Sequence, residues 1–170
     1  MEKPTHLIEF ETMILGRHSL NAHLRRPDHL ERSAYLVLRR LRIEGPMSIG
    51  ELSEAFGLDT STVHRQTAAM LKAGLLERIP DPEGGVARKF RITEEGERRV
   101  LADRDYNINA LDRLLGDWSA EDVRTFATYL ERFNTDLEAR EARPWPRPSP
   151  TESRSRTESR SGLRRPSGHR

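Results

Sequence analysis

Residues 48–74 read SIGELSEAFGLDTSTVHRQTAAMLKAG, and this stretch decides the fold. Ser48, with Glu51 three residues on, has the form of a capping box, so a helix starts there with Ile49, Leu52 and Phe56 on its inner side. Gly57 suits the left-handed residue that ends such a helix. Asp59 or Thr60 then caps a second helix, in which Val63, Thr67, Met70 and Leu71 point inward before Gly74 terminates it. Two short helices joined by a tight turn form a helix-turn-helix.

Working outward toward the N-terminus, Asp28 and Glu31 repeat the capping-box pattern and open a helix whose buried stripe is Leu30, Ala34, Val37, Leu38 and Leu41, closed by Gly45 and Pro46. Before it, Leu7, Phe10, Ile14 and Leu15 recur at helical spacing in a segment that Pro27 ends. Toward the C-terminus, residues 75–79 read as a strand, 80–85 as a turn and 88–92 as a returning strand, which makes a hairpin or wing. Thr93 caps a long helix with Glu94 and Glu95 in its first turn, where acids suit the helix dipole; its apolar face runs through Val100, Leu101, Ile108, Leu111 and Leu115. Trp118 and Ser119 interrupt that run, and Ser119 with Asp122 resembles a cap. Val123, Phe126, Leu130, Phe133 and Leu137 then recur at alternating intervals of three and four, a seam suited to packing against another helix.

The expected fold class is therefore mainly α with a small β-hairpin wing: a winged helix-turn-helix domain over residues 28–99, flanked by dimerisation helices over 1–27 and 100–143. From residue 144 onward Pro, Ser and Arg dominate and apolar residues nearly vanish, apart from Trp145 and Leu163, so residues 144–170 read as a disordered basic tail. Such a tail reads either as accessory electrostatic affinity or as a solubilising extension; in the first case deleting it would flatten a salt dependence without altering sequence preference.

Charge is unevenly placed along the chain. Residues 144–170 hold seven Arg against two Glu, which leaves a net −3 for residues 1–143 out of a total of +2. Within the body, residues 33–99 carry eleven Lys or Arg against ten acids, whereas 100–143 carry six against ten, so any basic surface lies in the middle segment. With 35% apolar residues the chain is lean for a monomer and ordinary for long helices that bury their faces on a partner. There is no Cys, which excludes disulfides, thiolate metal sites and thiol-based redox sensing within this chain. The N-terminus carries acids where a signal peptide is apolar, and no apolar run approaches the roughly 20 residues of a membrane span, so a soluble, cytoplasmic protein is expected.

The helix over residues 60–72 follows the turn in the position of a recognition helix, which fits the major groove of duplex DNA and reads base edges. With Val63, Thr67, Met70 and Leu71 inward, its outward set is Thr60, Ser61, Thr62, His64, Arg65 and Gln66. Arg makes two hydrogen bonds to guanine, Gln does the same for adenine, and hydroxyls serve phosphates or bases. A merely solvated helix face would also fit each of these residues taken singly.

From Leu30 to about Arg143 the chain resembles the MarR family of bacterial regulators. The resemblance rests on the order and spacing of six pieces: IGELSE from Ile49, STVHR from Ser61, MLKAGLLER from Met70, DPE from Asp81, ITEEG from Ile92 and WSAEDV from Trp118. It implies a homodimer whose interlocked N- and C-terminal helices hold two winged domains over a pseudo-palindromic site on double-stranded DNA, with repression as the default outcome. It also implies a small, often aromatic or phenolic, effector that binds between the dimer helices and the DNA-binding lobe and releases DNA. Wings of this family commonly carry an Asp-x-Arg pair whose Arg enters the minor groove. The matching positions here are Gly84 and Val86, so minor-groove contact would fall to Arg88 or Lys89 and wing readout would weaken.

Other signals carry less. His18, His23 and His29 stand five and six residues apart, which does not align metal ligands on one helix face, so neither metal nor cofactor is expected. Arg17, His18, Arg25 and Arg26 fit an anionic-ligand site, but exposed arginines on a surface helix are the commoner explanation. No phosphate-binding glycine loop or zinc-protease motif is present, so the chain does not read as an enzyme. The acidic body and altered wing keep one rival open, a winged-helix dimer that docks proteins without reading an operator.

Overall fold

The computed structural model describes residues 3–17 and 29–147. His18, His23, Arg25, Arg26, Pro27, Asp28 and residues 148–170 lie outside the described residues, and with them the expectations placed on those positions. In chain order the elements are α1 (Thr5–Arg17), α2 (Arg32–Glu44), α3 (Ile49–Phe56), α4 (Thr60–Lys72), β1 (Leu76–Ile79), β2 (Lys89–Ile92), α5 (Glu94–Leu114) and α6 (Ala120–Glu141). Mostly helix with one antiparallel hairpin, this is the architecture read from the sequence.

Local chemistry sets most of the boundaries. Ser48 accepts the Glu51 amide (3.2 Å) while the Glu51 carboxylate accepts the Ser48 amide (2.6 Å), so the expected capping box at α3 is present in full. Asp59, Thr93 and Ser119 cap α4, α5 and α6 by accepting the amides of Thr62, Gly96 and Asp122. The start of α2 departs from expectation. Glu31 sits at the cap position and makes no side-chain cap bond, and the helix opens at Arg32 rather than around Asp28. A distant carboxylate holds the approach to the helix: Asp103 on α5 accepts the Leu30 amide (2.9 Å) and pairs with His29 Nδ1 (3.0 Å), so a tertiary contact fixes the residues that lead into α2.

The core is shared by α2, α3, α4, the hairpin and the first turns of α5. Leu38, Leu52, Val63, Phe90 and Val100 are essentially sealed, and each such side chain contributes about 1.5–3 kcal/mol by leaving water. Strand pairing runs Leu76 to Ile92 through Ile79 to Lys89. Met47 adds a bridge to the outer edge of β2, exchanging both backbone hydrogen bonds with Phe90 (3.1 and 2.7 Å), which ties the segment between α2 and α3 to the wing. The turn after α4 packs against the start of α5: Thr93 Oγ1 donates to the Gly74 carbonyl (2.6 Å), and the Leu75 carbonyl would lie 2.3 Å from a Cβ at Gly96. Only glycine admits that approach of helix to turn.

Helices α1 and α6 bury no residue. Leu7, Ile8, Phe10, Met13 and Leu15 on α1, and Phe126, Tyr129, Leu130, Phe133 and Leu137 on α6, are all exposed. The segment expected to lack structure from residue 144 departs from that reading at its start. Pro144, Trp145 and Arg147 fold back onto the lobe and the end of α6, because Trp145 finds an aromatic neighbour in Phe56 and a cation in Arg40.

Candidate nucleic-acid interface

Helix α4 stands on Val63, Thr67 and Met70, which are buried; the Thr67 hydroxyl donates back to the Val63 carbonyl (2.9 Å) and so brings no unpaired polar group inside. This anchoring turns Thr60, Ser61, His64 and Arg65 to solvent and leaves Thr62 and Gln66 half-buried. The side chains expected to face outward are thus gathered on one side of α4, with two of them drawn partly in.

Asp59 organises the start of that face. Its carboxylate accepts the Thr62 amide (2.8 Å), the Thr62 hydroxyl (3.0 Å) and the Ser61 hydroxyl. These bonds, Ser61 first, lower its pKa to about 2. The hydroxyl protons of Ser61 and Thr62 are therefore spent on Asp59, and toward a ligand both oxygens offer lone pairs. Arg65 and His64 remain the exposed ring and guanidinium donors on the helix. Gln66 and Arg65 also border a cleft of about 500 Å³ whose other walls include His29, Glu31, Met70 and Arg99.

The two wing candidates, Arg88 just before β2 and Lys89 at its start, separate by what covers them. Lys89 turns inward, its ammonium 3.3 Å from Glu51 Oε1 and 3.5 Å from Asp81 Oδ1. Burial works against its charge, but Glu51 and then Asp81 outweigh that and raise its pKa. The same Glu51 closes the α3 capping box, and the Ser48 amide is the main reason its own pKa is lowered. Lys89 thus braces the wing root against α3, and of the two expected cations Arg88 is the one left exposed. Arg88, Arg78 and His64 line a groove of about 770 Å³ between the wing, the first residues of α3 and α4. Arg78 lies over the Phe90 ring, 5.6 Å from its centre. At the wing tip Val86 is fully exposed, and Gly84 takes a left-handed φ of 82° beside it.

Sequence reasoning missed three features here. The Asp59 bonds to Ser61 and Thr62 were signalled by a cap residue followed by two hydroxyls. The covering of Lys89 by Glu51 and Asp81 depends on the hairpin register and on its packing against α3, and had no local signal. Arg78 in the groove depends on that same register and had no local signal.

A recognition helix whose polar side is uncovered, preceded by a tight-turned partner helix and flanked by a hairpin, makes this chain a winged helix-turn-helix protein. A model of the MarR family matches residues 30–84. The chain is 36% identical over 135 residues to an uncharacterized HTH-type transcriptional regulator, YxaD, of Bacillus subtilis strain 168, covering 78% of this chain and 94% of that protein. Among solved structures it is similar to a MarR family protein from Bacillus stearothermophilus, with a TM-score of 0.67 at 23% identity over 81% of this chain and 99% of that one. It is also similar to the PcaV transcriptional regulator of Streptomyces coelicolor in complex with its natural ligand, with a TM-score of 0.55 at 23% identity over 77% and 91% of the two chains. The chain belongs to the MarR family of transcription regulators. No helix among the described residues is long and apolar enough to cross a membrane.

Proposed function

We propose that this regulator binds double-stranded DNA sequence-specifically as a homodimer on a pseudo-palindromic operator, represses from it in the cytoplasm, and releases it when a small aromatic or anionic effector binds. One observation carries the reading: the outward side of α4, with Thr60, His64 and Arg65, lies bare beside a groove walled by Arg78 and Arg88. In a body of net negative charge, cations placed locally beside a reading helix are what phosphate contact requires. Arg65 is the base reader; Arg88 and Arg78 grip the backbone. The uncovered seams of α1 and α6 supply the two-fold partner surface, and a dimer matches the symmetry of a palindromic site. An effector in the cleft bordered by Arg65, Gln66 and Arg99 would touch α4 directly and bias its position.

Selection of bound sequences from a random duplex pool, with wild type and Arg65→Ala, tests this. A two-fold-symmetric motif is expected for wild type, and loss of the Arg65 contact should cost about 1–3 kcal/mol of base discrimination. Failure to enrich any motif, with binding confined to low salt, would instead favour a protein-docking module.

A further inference from the structure

Residues 142–147 tie the end of α6 to the helix-turn-helix. Ala142 ends α6 in the left-handed conformation, the one non-glycine with positive φ (54°) among the described residues, and this turns the chain off the helix axis. Arg143 then lies directly over the turn between α3 and α4, where a Cβ at Gly57 would fall 2.4 Å from its guanidinium carbon. The Pro144 carbonyl accepts from Arg40 Nη1 (3.2 Å). Trp145 meets Phe56 of α3 edge to face (5.5 Å between centres, 74°), and the Arg40 guanidinium stands 5.1 Å from the centre of its ring. Arg40 is itself buried, and its fork is held by Glu44 one turn on. On the α6 side, the Trp145 amide and the Arg147 guanidinium both donate to Glu138 (3.0 and 2.8 Å).

These contacts reach α2 and α3 from α6, while α5 holds α2 separately, through Asp103 to the Leu30 amide and through Glu97 to Arg42 (2.9 Å). A lobe gripped from both long helices cannot swing about either. That matters for a dimer, whose two recognition helices must enter major grooves one helical turn apart, and each added base pair moves a half-site by about 3.4 Å and about 35°.

We propose that residues 142–147 form a latch fixing the DNA-binding lobe to the end of α6, and that Trp145 is a positioning residue that sets which half-site spacings the dimer accepts. This rests on the operator-binding dimer proposed above. The test uses the full chain as wild type, Trp145→Ala and Trp145→Phe, with duplexes carrying the selected half-site once, or twice with spacers varied by single base pairs. Wild type should favour one spacing. Trp145→Ala should weaken that preference by about three- to tenfold, the scale of one lost aromatic contact, with affinity for the single half-site unchanged. Trp145→Phe should fall between them, since the smaller ring keeps Phe56 and loses reach toward Arg40. An unchanged spacing profile, or an equal loss at every spacing and on the single half-site, would overturn the latch while leaving operator binding intact. Absence of any selectable half-site in wild type would overturn the operator reading, and the latch with it.

Discussion

In the lobe, Leu38, Leu52, Val63 and Val100 keep no more than 1% of their surface exposed; in α6, Phe126, Leu130, Phe133 and Leu137 keep 38–44% of theirs. Each residue belongs to an apolar stripe at helical spacing, the first four on four different helices and the second four on one, and the difference is in what the stripes meet within the chain. The lobe's apolar stripes converge on one another from α2, α3, α4 and the hairpin, so a single chain satisfies them. Among the described residues α6 buries none of its stripe, although Trp118 packs against Phe126 (5.6 Å between ring centres), and exposed apolar surface of that extent on a long helix fits the partner surface proposed above. One protein thus contains a part that folds on its own contacts and, in the dimer proposed above, a part that a second copy completes.

Leu130→Asp tests this contrast most severely. A charge in the middle of the seam should leave a monomer by sedimentation, and loss of the second linked half-site contact should lower operator affinity by about 10²–10⁴-fold. The lobe should still unfold cooperatively, since none of its contacts changed. Persistence of a dimer, or collapse of the lobe along with the seam, would remove the distinction between the two regions.

Leu52→Ala probes the other side. Leu52 is wholly buried between α3 and the rest of the core, so truncation should cost about 2–5 kcal/mol in urea unfolding, with association through α1 and α6 retained at temperatures where the lobe stays folded. A cost below about 1 kcal/mol would mean that the lobe's core is not what holds it.

The same contrast explains what the sequence disclosed. Caps at Ser48, Asp59, Thr93 and Ser119 are local, formed between residues three apart, and were legible from their own tetrapeptides, except that Asp59 and Thr60 both stayed open for α4 until the structure chose Asp59. Inward positions such as Val63 and Thr67 followed from periodicity alone. Features that depend on distant contacts were not legible. Asp103 caps the approach to α2 from 73 residues away, and the Asp28–Glu31 pattern gave no hint of it. Lys89 is held by Glu51 and Asp81, which only the packing of the wing root against α3 brings together. Trp145 lies in a segment whose composition is that of a disordered tail, and one aromatic side chain with a matching site on α3 was enough to order its start. At the interface, the identity of the α4 face was readable, whereas the share of it already engaged by Asp59 was not.

That engagement yields the smallest effect and separates lobe stability from the seam. Asp59 is ionised in the folded lobe down to about pH 2, against an ordinary value of 3.8, because Ser61 and then the Thr62 amide hydrogen-bond its charged form. A pKa lowered on folding means that the unfolded chain takes up its proton first as pH falls. The stabilisation is therefore complete above the unfolded value and fades between about pH 4 and pH 2. Asp59→Asn keeps a cap acceptor but cannot titrate, so the stability gap between wild type and this variant should be small at neutral pH, where solvent screens an exposed carboxylate, and should shrink further through that window. Urea unfolding of both proteins from pH 6 to pH 2 measures it. Because Asp59 touches neither α1 nor α6, self-association of the two proteins should respond identically to acid; a difference there, or a stability gap that stays constant to pH 2, would mean that the cap's charge is not confined to the lobe in the way its hydrogen bonds imply.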